Sequence, residues 1–114
     1  MVWWWVLLAG CPGSSEECVV ERVSFTQADG CINDGTYEFC VDPDDEAAVL
    51  AAAPTATCVL GVGGRAGCQD SLYCAVPVDV ADCDGAAMTD PAWATVCRVS
   101  NLPLLSAIVP TFYE

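Results

Sequence analysis

Nine cysteines in a chain of 114 residues constrain this sequence more than any other feature. A small core stabilised by cross-links, in an oxidising compartment, is what such a density implies. Metal binding is the competing use of cysteine. It fails on spacing, because no two cysteines stand as Cys-x-x-Cys and no histidine is present to complete a mixed site. The count is odd, so one thiol has no intramolecular partner and calls for a separate explanation.

That explanation lies at the start of the chain. Residues 2–9, Val-Trp-Trp-Trp-Val-Leu-Leu-Ala, form an apolar run of eight, whereas a bilayer-spanning helix needs about 20 residues. The run closes on the small residues Ala9 and Gly10, then Cys11, then a turn-forming Pro12-Gly13-Ser14-Ser15. This is the pattern of a secretory signal with its cleavage site. Leu8-Ala9-Gly10-Cys11 resembles the lipobox of bacterial lipoproteins, Leu-(Ala/Ser/Thr)-(Gly/Ala)-Cys. The resemblance implies a diacylglycerol on the Cys11 thiol, cleavage before it and acylation, for instance with palmitate, of the new amino terminus. It covers about a tenth of the chain and says nothing of the domain beyond. Such signals begin with Lys or Arg, and here none precedes the run, which places the expected start upstream of Met1. Residues 1–10 are therefore expected to be the signal peptide, 11–17 a lipidated cysteine with a flexible tether, and 18–114 one domain. Setting Cys11 aside leaves Cys18, Cys31, Cys40, Cys58, Cys68, Cys74, Cys83 and Cys97. Four bridges among them have 105 connectivities, and sequence does not choose one.

Within the domain, residues 19–25 read as a strand, and Ala28-Asp29-Gly30 and Asn33-Asp34-Gly35 as turns. Tyr37, Phe39 and Val41 alternate with Thr36, Glu38 and Cys40, the pattern of a strand with one polar face. Asp42-Pro43-Asp44-Asp45-Glu46 opens a helix that Pro54 stops, with Glu46, Val49, Leu50 and Ala53 on one side. Residues 55–62 return as a strand with Ala56, Cys58, Leu60 and Val62 on one face. A further strand follows over 71–78, with Leu72, Cys74, Val76 and Val78 on one face and Pro77 marking an edge or an end. Asp90-Pro91 repeats the earlier helix start and opens a helix to about Ser100, with Trp93, Val96, Cys97 and Ser100 inward and Asn101 as its C-terminal cap. Residues 104–113 form a last strand interrupted by Pro110. The order is two strand–helix–strand units, so a small disulfide-rich α+β domain is expected. Its ferredoxin-like form would be an antiparallel sheet with two helices on one face. An irregular stapled α+β domain is the alternative.

Charge narrows the function. Sixteen acidic residues oppose three arginines, a net charge of −13, so nucleic-acid binding is not expected. Without histidine or lysine, Ser-His-Asp and Cys-His sites, Schiff-base chemistry and His-ligated zinc are excluded, and no enzyme activity is expected. Asp79, Asp82 and Asp84 with Gly85 resemble a fragment of a calcium loop, although Val80 stands where a first ligand belongs and no glutamate follows at the right distance. Otherwise no cofactor is expected. Residues 61–67 form a glycine-rich loop whose start fits the dinucleotide pattern Gly-x-Gly-x-x-Gly/Ala, but no helix opens after it to hold a pyrophosphate. Arg65 in that loop is a candidate recognition residue. The leading expectation is an envelope protein anchored to the membrane through its lipid, facing the periplasm or the cell exterior, whose domain binds a protein partner or serves structurally. A secreted inhibitor or effector presenting the 61–67 loop and an extracytoplasmic calcium module are the alternatives.

Overall fold

The computed structural model describes residues 18–32, 36–60, 68, 71–103 and 105–110. Its centre is formed by β1 (Tyr37–Val41) and the strand beside it, each paired on both sides, β1 on its second side through Tyr37 and Glu38 only. β2 (Thr57–Leu60), β3 (Leu72–Val76) and β6 (Val109–Pro110) complete an antiparallel sheet of order β2-β3-β1-β6. A short hairpin, β4 (Cys83–Asp84) and β5 (Ala87–Met88), is inserted between β3 and the second helix. Since β3 runs opposite to both β1 and β2, those two are parallel with β3 between them. This is the split β-α-β arrangement of a ferredoxin-like unit, as two strand–helix–strand units imply.

Both helices contribute to one core. The alternate residues Tyr37, Phe39 and Val41 of β1 and Leu72, Cys74 and Val76 of β3 cluster with Val49 and Ala52 of α1 (Glu46–Ala52) and with Val96 and Val99 of α2 (Asp90–Ser100). The inward residues of α1 are Val49 and Ala52, followed by Ala53 just past its end, while Glu46 and Leu50, which the spacing puts on the same side as Val49, are exposed. Small side chains at positions 52 and 53 let α2 come close, and Arg98 Nε of α2 donates to the Ala52 carbonyl at 3.2 Å. Trp93 sits at the margin of the core rather than in it, edge-on to Phe25 with ring centroids 6.0 Å apart.

Helix starts follow the local chemistry with two adjustments. Asp42 accepts from the Asp44 N–H at 2.9 Å, but the residues it caps, Pro43–Asp45, form a 3-10 turn, and α1 begins only at Glu46. For α2 the cap is Thr89, whose hydroxyl accepts from the Ala92 N–H at 3.4 Å. Asp90 is the first helical residue, and its carboxylate accepts instead from Gln27 Nε2 at 2.9 Å. Asn101 closes α2, its side-chain amide donating to the Cys97 carbonyl at 2.9 Å.

Two strand expectations are corrected and a third, the strand end at Pro77, holds. All five residues of β1 are buried, so its second face is covered rather than solvated, and Glu38 there is only 1% exposed. A carboxyl group tolerates such burial when hydrogen-bonded, and the Tyr73 hydroxyl donates to Glu38 Oε1 at 3.1 Å. β2 lies at the sheet edge, which leaves Leu60, expected inward, 67% exposed; Val62 lies outside the described residues. β3 is interior, and Pro77 follows its last residue, where a missing N–H costs no ladder bond.

Residues 19–25 do not form a strand. Val20–Arg22 is a 3-10 turn, followed by a single parallel bridge between Val23 and Ile108. The cause is the C-terminal end of α2, which leaves carbonyls without intrahelical partners and attracts positive charge. Arg22 Nη1 donates to the carbonyls of Ser100 (3.0 Å) and Leu102 (2.7 Å), and the Val19 N–H donates to Ser100 Oγ at 2.9 Å. A straight strand would not reach both. Of the final strand expected over 104–113, Val109–Pro110 is strand and 105–107 are not, while 104 and 111–113 lie outside the described residues; Ile108 extends the edge by accepting from the Ser24 N–H and donating to the Arg22 carbonyl. Pro110 does not break the ladder there because β6 is an edge strand.

Candidate functional site

The eight cysteines from position 18 onward form four bridges: Cys18–Cys97, Cys31–Cys83, Cys40–Cys68 and Cys58–Cys74. Each ties different parts of the fold. Cys58 and Cys74 are register partners on β2 and β3, facing the helices. Cys40 and Cys68 hold the residue after the glycine-rich segment against the second face of β1, with Cys68 buried to 1%. Cys31–Cys83 joins the turn after Gln27–Asp29 to the inserted hairpin. There Gly30 is required for close approach, since a β-carbon would come within 2.6 Å of the buried Met88 side chain. Cys18–Cys97 fastens the beginning of the domain to the last turns of α2, beside the Arg22 and Val19 hydrogen bonds. The site where any tether from Cys11 enters the domain is therefore held by one covalent bond and three hydrogen bonds. Cys11 itself lies outside the described residues, as do the 61–67 loop with Arg65 and the turn 33–35.

The acidic turn is occupied with its own backbone. Asp79 and Asp82 form a reciprocal cap on the 3-10 turn Val80–Asp82, with Asp82 Oδ2 accepting from the Asp79 N–H at 3.1 Å. Asp84 is exposed on the hairpin, where Gly85 takes φ +65°, as tight two-residue turns require. Among the described residues, no group of three or more acidic or cysteine side chains is placed to hold a metal ion.

A hollow among the described residues lies elsewhere. A cavity of about 260 Å³ opens between Pro54 and Thr55 after α1, Val76, Pro77 and Val78 at the end of β3, and Pro91, Ala92 and Thr95 on α2, with Asp82 at its side and Tyr37 among its walls. A neighbouring depression of about 230 Å³ shares Thr55, Pro77, Val78 and Asp82. Most of the polar atoms around it are committed. Thr95 Oγ1 donates to the Pro91 carbonyl at 3.3 Å and accepts from Arg98 Nη2 at 2.9 Å, and Asp82 caps its turn. Whereas Thr55 is exposed, Tyr37 is the buried exception. It is 1% exposed, and its hydroxyl has no hydrogen-bond partner among the described residues. Burial pushes its phenol far above the ordinary range, with Arg98 pulling it down and Asp82 adding to the rise. The sequence marked Tyr37 only as an inward strand residue and the three prolines only as ends of elements. Nothing local signalled that they meet, since each comes from a different part of the chain.

No protein-family model, curated protein or solved structure matches the chain. No helix among the described residues is long and apolar enough to cross a membrane.

Proposed function

We propose that this chain is a lipid-anchored cell-envelope protein, held through Cys11 and presenting its stapled α+β domain on the extracytoplasmic side as a binding module. The observation that carries the reading is cysteine bookkeeping: four bridges use all eight cysteines from 18 to 97 and leave Cys11 with no cysteine to pair with. An odd thiol that follows Leu-Ala-Gly at the end of an apolar run suits acylation. Four disulfides agree with an oxidising compartment. A seven-residue tether from Cys11 spans at most about 25 Å, which would keep the domain close to the bilayer. The net charge of −13 would turn it away from an anionic surface rather than onto it.

The test is metabolic labelling with radioactive palmitate in a bacterial host expressing the full coding sequence with its natural leader. Label is expected on the protein and is expected to vanish in Cys11→Ser. An unlabelled chain, or label that survives Cys11→Ser, would sink the anchoring claim.

A further inference from the structure

We propose that the cavity above Tyr37 is a binding site for a compact, uncharged, mostly apolar molecule carrying one oxygen acceptor, which takes a hydrogen bond from the Tyr37 hydroxyl. The inference deepens the binding-module reading and is independent of the anchor. A buried hydroxyl without a partner is uncommon, because native folds satisfy nearly all such groups and losing the bond is costly. Tyr37 is 1% exposed, forms part of the cavity wall and has no partner among the described residues. Burial keeps its phenol protonated, so what it offers is a donor, and the complementary group is an acceptor. Pro54, Val76, Pro77, Pro91 and Ala92 supply apolar walls, the usual make-up of a small-molecule site with few polar groups fixing orientation. An engineered cavity of ~150 Å³ holds benzene, so about 260 Å³ has room for a substituted ring. Charge selects against anions. The Asp82 carboxylate borders the cavity, the Arg98 guanidinium already donates to Ala52 and Thr95, and the whole chain is at −13.

Cyclohexanone is a suitable probe, and cyclohexanecarboxylate presents the same ring with a negative charge. Both are titrated into the ¹⁵N-labelled, oxidised full chain carrying Cys11→Ser, so that no lipid or micelle competes for the ring and a failed anchor cannot affect the result. Cyclohexanone is expected to shift the amides of Thr55, Val76, Val78, Ala92 and Thr95 saturably. Tyr37→Phe is expected to fold and to weaken binding roughly tenfold, the scale of one neutral hydrogen bond, and the carboxylate is expected to leave these amides unmoved. Shifts that do not saturate, or that fall elsewhere, would mean the cavity holds only water and would overturn the proposal. So would undiminished binding by Tyr37→Phe, or carboxylate binding as tight as that of the ketone. A Tyr37→Phe chain that fails to fold would show the hydroxyl already serves the structure and would end the proposal equally.

Discussion

Replacing Cys18 and Cys97 together by alanine removes the covalent link between the start of the domain and α2 while leaving the other three bridges intact. The chain between them is 79 residues long, and an unfolded loop of that length would by itself correspond to about 4.5 kcal/mol of closure entropy. That figure is too large here, because Cys31–Cys83 cuts the loop short. The remaining path runs from Cys18 to Cys31 and from Cys83 to Cys97, about 27 residues in all. Closing that loop is worth about 3.5 kcal/mol at 25 °C. The Val19 N–H to Ser100 bond and the two Arg22 bonds stay available to the variant, so no further large loss is expected. A domain of this size commonly has ~5–15 kcal/mol of stability, so the double variant should remain measurable in urea. Unfolding is followed by far-UV circular dichroism in the parent and in Cys18→Ala/Cys97→Ala, with the other disulfides checked by mass. A loss near 3.5 kcal/mol, with a slightly steeper denaturant slope from the more open unfolded chain, is expected. A loss below about 1 kcal/mol would refute the reasoning that the bridge acts by constraining the unfolded chain.

Gly30→Ala is expected to destabilise the domain by about 1–3 kcal/mol, because the new methyl meets the buried Met88 side chain with little room to yield; thermal unfolding measures it, and an unchanged midpoint would show that Met88 moves freely. Tyr37 carries a prediction about pH. Its folded phenol ionises well above its unfolded value of about 10, so the folded state holds the proton longer. Stability is then unaffected below pH ~10 and falls as pH rises beyond it. In an alkaline titration at 295 nm, one tyrosine's absorbance should appear only with unfolding, and Tyr37→Phe should lack that step and unfold at higher pH. A parent whose tyrosines all ionise before it unfolds would contradict this.

Much of the architecture was legible along the chain because it is encoded by near neighbours. Alternation over residues 37–41 and 72–76 gives strands, and Asp42-Pro43 and Asp90-Pro91 mark helical starts through backbone groups close by in the chain, although the cap of α2 falls one residue earlier, on Thr89. Two strand–helix–strand units in that order leave few ways to build a sheet, so the β2-β3-β1-β6 arrangement followed. Cysteine parity, too, is a property of the sequence alone: it leaves one cysteine over, and only the Leu8-Ala9-Gly10 stretch before it suggests that this is Cys11. What tertiary contacts decided is whatever depends on residues far apart in the chain. Which cysteines pair, with separations from 16 to 79 residues, has no local signal. The segment at 19–25 has strand composition, yet Arg22 and Val19 are drawn to α2 groups some 80 residues away. Glu38 alternates as an outward residue would, but the central position of β1 buries it. The cavity beside Tyr37 is the clearest case: it exists only because three distant segments, each marked by its own proline, come together around one buried tyrosine.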